Sequence, residues 1–134
     1  MNHWLVKSEP SAYSWERLVQ EKRARWDGVR NFQARNNLQA MEKGDLCLFY
    51  HSGTGPAIVG IAKVVRAPYP DPTSDDPRWV AVDLAPQRAL GSPVPLAALK
   101  ADGRTRGMAL LRQGRLSVSP VTAPEFAAIL ELGA

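Results

Sequence analysis

Residues 3–7 alternate in a two-residue period, with Trp4 and Val6 on one face of a short strand and His3, Leu5 and Lys7 on the other. The run Ser8-Glu9-Pro10-Ser11 breaks it. Ser14 is a suitable N-cap for a helix over residues 15–23, and Glu16 sits in the first turn, where the helix dipole favours an anion. A second helix is expected to start at Asn31, itself a good N-cap. Ala34, Leu38 and Met41 then share one face, and Gly44 ends the helix.

The middle of the chain is predicted to be β-rich. Residues 45–51 and 57–67 read as strands joined by Ser52-Gly53-Thr54-Gly55-Pro56, a hairpin-loop composition. The first is apolar on both faces, as in a strand buried centrally. Gly60 marks a bulge or a close approach to the backbone. Pro68-Tyr69-Pro70-Asp71-Pro72, with Pro77 soon after, predicts a stiff loop that cannot be a central strand. Residues 79–84 alternate as a strand, with Trp79 in the core. Residues 95–100 suggest a helical turn and 116–121 a last strand. Thr122-Ala123-Pro124-Glu125 is a capping box that opens a helix through Leu132, with Gly133 as its stop. Short helices at both ends and four or five strands between them give an α+β fold, a small curved sheet or partly closed barrel.

At 134 residues the length fits one domain, at ~150 residues per domain. The longest apolar runs, 46–50 and 57–62, are far shorter than the roughly 20 residues that span a bilayer, so no membrane partner is expected. No basic segment followed by an apolar stretch opens the chain, so no secretory leader is expected. The single cysteine, Cys47, excludes an internal disulfide framework and a cysteine-based zinc site; flanked by Leu46 and Leu48, it reads as a buried, inert thiol. The net charge of +4 is unevenly spread: residues 1–50 carry +2, residues 66–83 carry −2 and residues 84–134 carry +3. Twelve of the 17 cations are Arg, the side chain suited to bidentate phosphate contacts, and a pI near 9.6 fits a polyanionic partner.

Catalytic residue types are present without a catalytic arrangement. Ser8, Glu9, Asp45, His51 and Ser52 could supply nucleophile, base and orienter, but no Gly-x-Ser-x-Gly elbow occurs, and adjacent strand residues such as His51 and Ser52 point to opposite faces. His3 and His51 are the only histidines, which gives no metal-binding spacing. Gly53-x-Gly55 lacks the Lys-Ser/Thr and the helix of a phosphate-binding loop. The stronger signal is aromatic and amide residues near basic ones: Trp4, Trp26, Phe32, Tyr50, Tyr69 and Trp79 beside Asn31, Gln33, Asn36, Asn37, Arg30 and Arg35. Rings stack on bases, amides read base edges and Arg holds phosphate. On composition alone, these rings suit the filling of a small core better, with Asn31 only a helix cap.

Longer blocks narrow the choice. Trp4-Leu5-Val6-Lys7-Ser8-Glu9-Pro10 is followed by Trp26-Asp27-Gly28-Val29-Arg30-Asn31-Phe32-Gln33-Ala34-Arg35-Asn36-Asn37-Leu38. Then come Gly44-Asp45, Phe49-Tyr50-His51-Ser52, Ile58-Val59-Gly60-Ile61-Ala62, Tyr69-Pro70-Asp71-Pro72-Thr73 and Arg115-Leu116-Ser117-Val118. This run, in this order and over almost the whole chain, resembles the EVE domain family. The resemblance implies a PUA-like fold, a curved mixed β-barrel with short flanking helices. It also implies non-catalytic recognition of a modified base, chiefly a 5-substituted cytosine in DNA, flipped into an aromatic pocket without a cofactor. Two positions depart from the family pattern: His3 where an aromatic often precedes the Trp, and Phe32 where Tyr is common.

Carried over residue by residue, the resemblance implies a pocket of Trp4, Lys7, Ser8, Glu9, Trp26, Asn31, Arg35, Asn36, Tyr50, His51 and Ser52. Trp4 suits core and pocket equally. Lys7 and Glu9 can pair across the surface, or Glu9 can accept from an exocyclic amine. Trp26, before the Asp27-Gly28 turn, is placed at the rim as the main stacking ring. Asn31 can cap the helix or read a base edge, and Arg35 and Asn36 inside the helix suit internal packing better. Tyr50 and Ser52 lie on one strand face and His51 on the other, so all three reach one pocket only if the strand ends near His51. Two other functions stay open: a PUA-like RNA-binding module without modified-base specificity, and a small hydrolase or nuclease. The expected location is the cytoplasm of a bacterium, or the nucleus if the chain is eukaryotic.

Overall fold

A computed structural model describes residues 1–134. Its elements are β1 (His3–Ser8), α1 (Trp15–Glu21), β2 (Ala24–Trp26), α2 (Phe32–Ala40), β3 (Leu46–His51), β4 (Ala57–Pro70), β5 (Val80–Pro95), α3 (Leu96–Ala101), α4 (Ala109–Arg112), β6 (Val118–Val121) and α5 (Ala123–Leu132). The six strands form one mixed sheet in the order β2-β5-β4-β3-β1-β6. β1 runs parallel to β3, and every other neighbouring pair is antiparallel. A parallel pair cannot be joined by a tight hairpin. The chain between β1 and β3 therefore makes a long crossover that carries α1, β2 and α2.

Register shifts interrupt the β3–β4 pair at Phe49/Tyr50 and the β4–β5 pair at four places. Each bulge adds local twist, and together they curve the sheet without closing it. Side-chain alternation divides the core into two layers. Trp4, Val6, Cys47 and Phe49 face α1 and α2, while Leu5, Leu48, Tyr50 and Ile58 pack with Phe126 and Ile129 of α5. Covered on both faces, β3 reads as an unbroken apolar run. Cys47 is fully buried, and burial pushes its thiol far above the ordinary range.

The helix caps follow the sequence. Ser14, Asn31 and Thr122 each accept an N–H of their own helix, and Thr122 and Glu125 complete the capping box. The β-rich half departs from expectation. β4 continues through Pro68-Tyr69-Pro70, where a loop was expected, because beyond Lys63 it pairs with β5 alone and the prolines face no second ladder. β5 runs to Pro95 and not 84; its bulges accommodate Pro86 and Pro93. β2 and α4 are additional elements, six strands stand where four or five were expected, and β6 begins at Val118. Trp79 precedes β5, is only half-buried and stacks on Phe32, so it is not a core residue.

Asp45 anchors the start of β3. Its buried carboxylate accepts from the Trp4 indole N–H at 3.0 Å and from the backbone N–H groups of Asn2 and Glu42 at 3.1 and 3.0 Å. Burial opposes its ionisation, and the three donors outweigh burial and hold the carboxyl below its usual range.

Gly60 lies at a register shift and under a ring: a methyl group there would sit 2.6 Å from Trp15 Cε2 and Cζ2. Trp15 cannot readily withdraw, because its ring is buried against Phe49 and its backbone N–H is held by His51 Nε2 at 3.0 Å. Gly60→Ala should therefore destabilise the fold by about 1–3 kcal/mol, as overpacking does. A denaturant melt with an unchanged midpoint would contradict this contact.

Candidate nucleic-acid interface

The long crossover folds across one face of the sheet and lines the main cavity. Its volume is about 550 Å³, within the ~300–1,000 Å³ usual for ligand pockets. The lining comes from three places: Lys7 and Ser8 at the end of β1, Tyr13 and the segment 24–31 of the crossover, and Ser117 before β6. Trp26 and Tyr13 stand edge to face, centroids 6.1 Å apart at 86°, and form a corner of two perpendicular rings. Trp26 also packs on buried Phe49 at 5.6 Å, so the half-buried indole rests on the rigid sheet. Tyr13 donates its hydroxyl to Glu21 at 2.8 Å, and burial together with that bond pushes its pKa up to about 12. The ring, not the hydroxyl, is what Tyr13 offers the cavity.

The polar lining carries three cations, Lys7, Arg25 and Arg30, and one acid, Asp27. Arg25 donates to Asp27 at 2.7 Å. Lys7 Nζ donates to the Gly114 carbonyl at 2.6 Å, and burial lowers its pKa. Asn31 Oδ1 accepts from the Ala34 N–H at 2.9 Å. That bond occupies the oxygen and leaves the amide nitrogen as a donor.

One carboxylate holds this wall in place. Asp71 is buried, and Oδ2 accepts from the Gly28 N–H at 2.8 Å and Arg30 Nη1 at 2.9 Å. Its Oδ1 accepts from the N–H and hydroxyl of Thr73 at 2.8 and 2.6 Å. Burial opposes ionisation, yet these donors hold the carboxyl well below the usual carboxylate range. The segment 28–30 is thus clamped to the loop after β4. Gly28, at φ +75°, supplies the left-handed turn that aims its N–H inward. On the other side of β2, Asp83 accepts from Arg23 Nε and Nη2 at 3.1 and 2.8 Å and from the Tyr69 hydroxyl.

The residues expected at the site are distributed as follows. Lys7, Ser8, Trp26 and Asn31 line the cavity. Trp4 is core, tied to Asp45. Glu9 is exposed outside the lining, and its carbonyl turns the chain by accepting from Ala12 and Tyr13. Arg35 is half-buried and Asn36 exposed on α2, both outside the lining. Tyr50 is buried in the layer against α5. His51 faces the other way and caps α1; burial lowers its pKa, in keeping with a neutral ring that accepts the Trp15 N–H. Ser52 donates its N–H to the Ser8 carbonyl at 3.0 Å and lies off the cavity. Tyr13, Arg25, Asp27, Arg30 and Ser117 are lining residues outside the expected set. All but Tyr13 and Arg25 fall in the sequence blocks that carried the resemblance. Tyr13 sits in a segment whose only sequence signal was a strand break.

No three His, Cys, Asp or Glu side chains are grouped so that they could hold a metal ion, and no helix is long and apolar enough to cross a membrane. The family model of the EVE domain matches residues 2–132. Thymocyte nuclear protein 1 of Mus musculus is 39% identical over 165 aligned positions, covering 98% of this chain and 73% of that one. A protein of Agrobacterium tumefaciens superposes with a TM-score of 0.97 at 42% identity, over 100% of this chain and 94% of that one. Human THYN1, solved in complex with 5-methylcytosine-containing DNA, superposes with a TM-score of 0.91 at 38% identity, over 99% and 98% of the two chains. The shared architecture is the PUA-like α+β fold. Over almost its entire length, this chain belongs to the EVE domain family.

Proposed function

We propose that this protein binds DNA without catalysis and takes one modified base, a 5-substituted cytosine, flipped from the stack into the cavity cornered by Trp26 and Tyr13. The observation that carries this reading is that corner: one ring can stack on a base while the other closes its edge. The DNA complex of human THYN1 supports it. Flipping costs a few kcal/mol, and stacking at ~1–3 kcal/mol per base offsets most of that. The Watson–Crick edge of cytosine has one amine donor and two acceptors. Asp27 can accept from the amine, the role expected of Glu9, while Lys7 and the Asn31 amide can donate.

The engagement of the polar groups favours binding over turnover. His51 Nε2 accepts the Trp15 N–H, the Ser8 hydroxyl donates to the Tyr13 carbonyl at 2.5 Å, and Glu9 faces solvent. A nucleophile and base would instead need to be hydrogen-bonded to one another. Such a reader works where the genome is, in the cytoplasm of a bacterium or the nucleus of a eukaryote.

Two substitutions test the reading. Trp26→Ala removes a half-buried ring and should stay folded, but its affinity for an oligonucleotide bearing one 5-methylcytosine should fall about ten- to a hundredfold. Full affinity in that titration would sink the stacking role. Asp71→Ala leaves the Gly28 and Thr73 N–H groups unpaired and removes the carboxylate partner of Arg30. Since Arg30 is 40% exposed and partly screened, the stability cost should be about 2–3 kcal/mol. Binding should weaken in parallel, and unchanged affinity in the folded variant would show that the clamp does not shape the site.

A further inference from the structure

Beside the cavity lies an aromatic surface that the base pocket does not use. Phe32 follows the lining residue Asn31 directly and is 52% exposed, one of only three exposed large hydrophobic side chains. Its ring stacks on Trp79 with centroids 4.9 Å apart and an interplanar angle of 29°. Trp79 thus backs the ring from the loop after Asp71, and the rest of Phe32 meets only solvent and arginine side chains. Three guanidinium groups surround the pair: Arg78 lies 5.7 Å and Arg35 6.0 Å from the Phe32 centroid, and Arg30 5.6 Å from the Trp79 centroid. Arg30 and Arg78 are ion-paired with Asp71 and Asp76 on one side, whereas Arg35 has no carboxylate partner.

Packing explains only half of this arrangement. Stacking on Trp79 accounts for one face of Phe32 and fixes the 71–79 loop against the start of α2. It gives no reason for a half-exposed aromatic ring with two arginines over it. A half-exposed ring with mobile cations over it is the composition that stacks on nucleobases and neutralises their phosphates. Its place matters as well. A base drawn into the cavity uncovers a face of its neighbour in the strand, and proteins that open a stack commonly cover such a face with an apolar side chain.

We propose that the exposed ring of Phe32, supported by Trp79, stacks on the nucleobase next to the flipped one, while Arg35 and Arg78 swing off the ring to meet the adjoining phosphates. This role rests on the reading that the neighbouring cavity takes a flipped base. It gives the two aromatic sites separate tasks. Trp26 and Tyr13 hold the extruded base, and Phe32 and Trp79 hold the stack open.

A cycle of substitutions in protein and DNA tests this. Affinities are measured for duplexes with one 5-methylcytosine whose flanking positions are intact, abasic on the 5′ side or abasic on the 3′ side, using wild-type protein, Phe32→Ala, Phe32→Leu and Phe32→Trp. Phe32→Ala should lower affinity for the intact duplex about tenfold. On one of the two abasic duplexes the same substitution should cost less than about twofold, because the base that Phe32 covers is already absent. Phe32→Leu, which keeps apolar bulk without a ring, should behave as Phe32→Ala does, and Phe32→Trp should bind as wild type. Equal losses on intact and both abasic duplexes, no loss at all, or wild-type affinity in Phe32→Leu would overturn the proposal. If the wild-type protein makes no distinction between the methylated duplex and an unmodified one, the flipped-base reading itself fails, and this role with it.

Discussion

A single buried carboxylate determines the shape of the site. Asp71 takes four hydrogen bonds from Gly28, Arg30 and Thr73, and without them the desolvation of an ionised side chain would go uncompensated. Everything near the cavity is referred to it. Gly28 and Arg30 lie two and four residues after Trp26, Asn31 and α2 come next, and the loop from Asp71 leads to Trp79 under Phe32. The wall of the base cavity and the neighbouring aromatic pair thus share one clamp. Because the folded carboxyl is held below its ordinary range, the stabilisation is complete at pH values above that range and is lost as acid protonates it.

The topology explains why the clamp is needed. A parallel β1–β3 pair forces a crossover, which here exceeds 30 residues and has mostly short elements of its own. It is held instead at separate points: Trp15 by His51, Arg23 by Asp83, and Gly28 and Arg30 by Asp71. Between these points Trp26 rests on Phe49, whose strand is buried on both faces. The loop-borne site therefore inherits the rigidity of the sheet, which is what a stacking pocket requires.

Local signals were legible in the sequence where the physics is local. The β1 alternation, the Ser14 and Asn31 caps and the Thr122–Glu125 capping box are all set by residues within a few positions of one another. β5 was not legible beyond Leu84, because Pro86, Gly91 and Pro93 are turn formers unless bulges on a partner strand absorb them. The site was legible in part for the same reason. Trp4, Tyr50 and His51 have suitable chemistry, but strand parity and distant partners such as Asp45 and Trp15 decide where they point. Trp79 sits at the start of an alternating run and reads as core; only the fold shows that Phe32 meets it. Tyr13 is set in place by the turn at Glu9, which leaves no periodic trace.

The account stands on the cavity distinguishing one base from its modified form. The direct measurement is the affinity of the wild-type protein for two duplexes identical except for a single methyl group at C5 of one cytosine, at one fixed salt concentration. Burying that methyl group at about 0.8 kcal/mol predicts binding about fourfold tighter for the methylated duplex. Equal affinities would mean that the arginines hold the phosphate backbone alone and that the cavity reads no base.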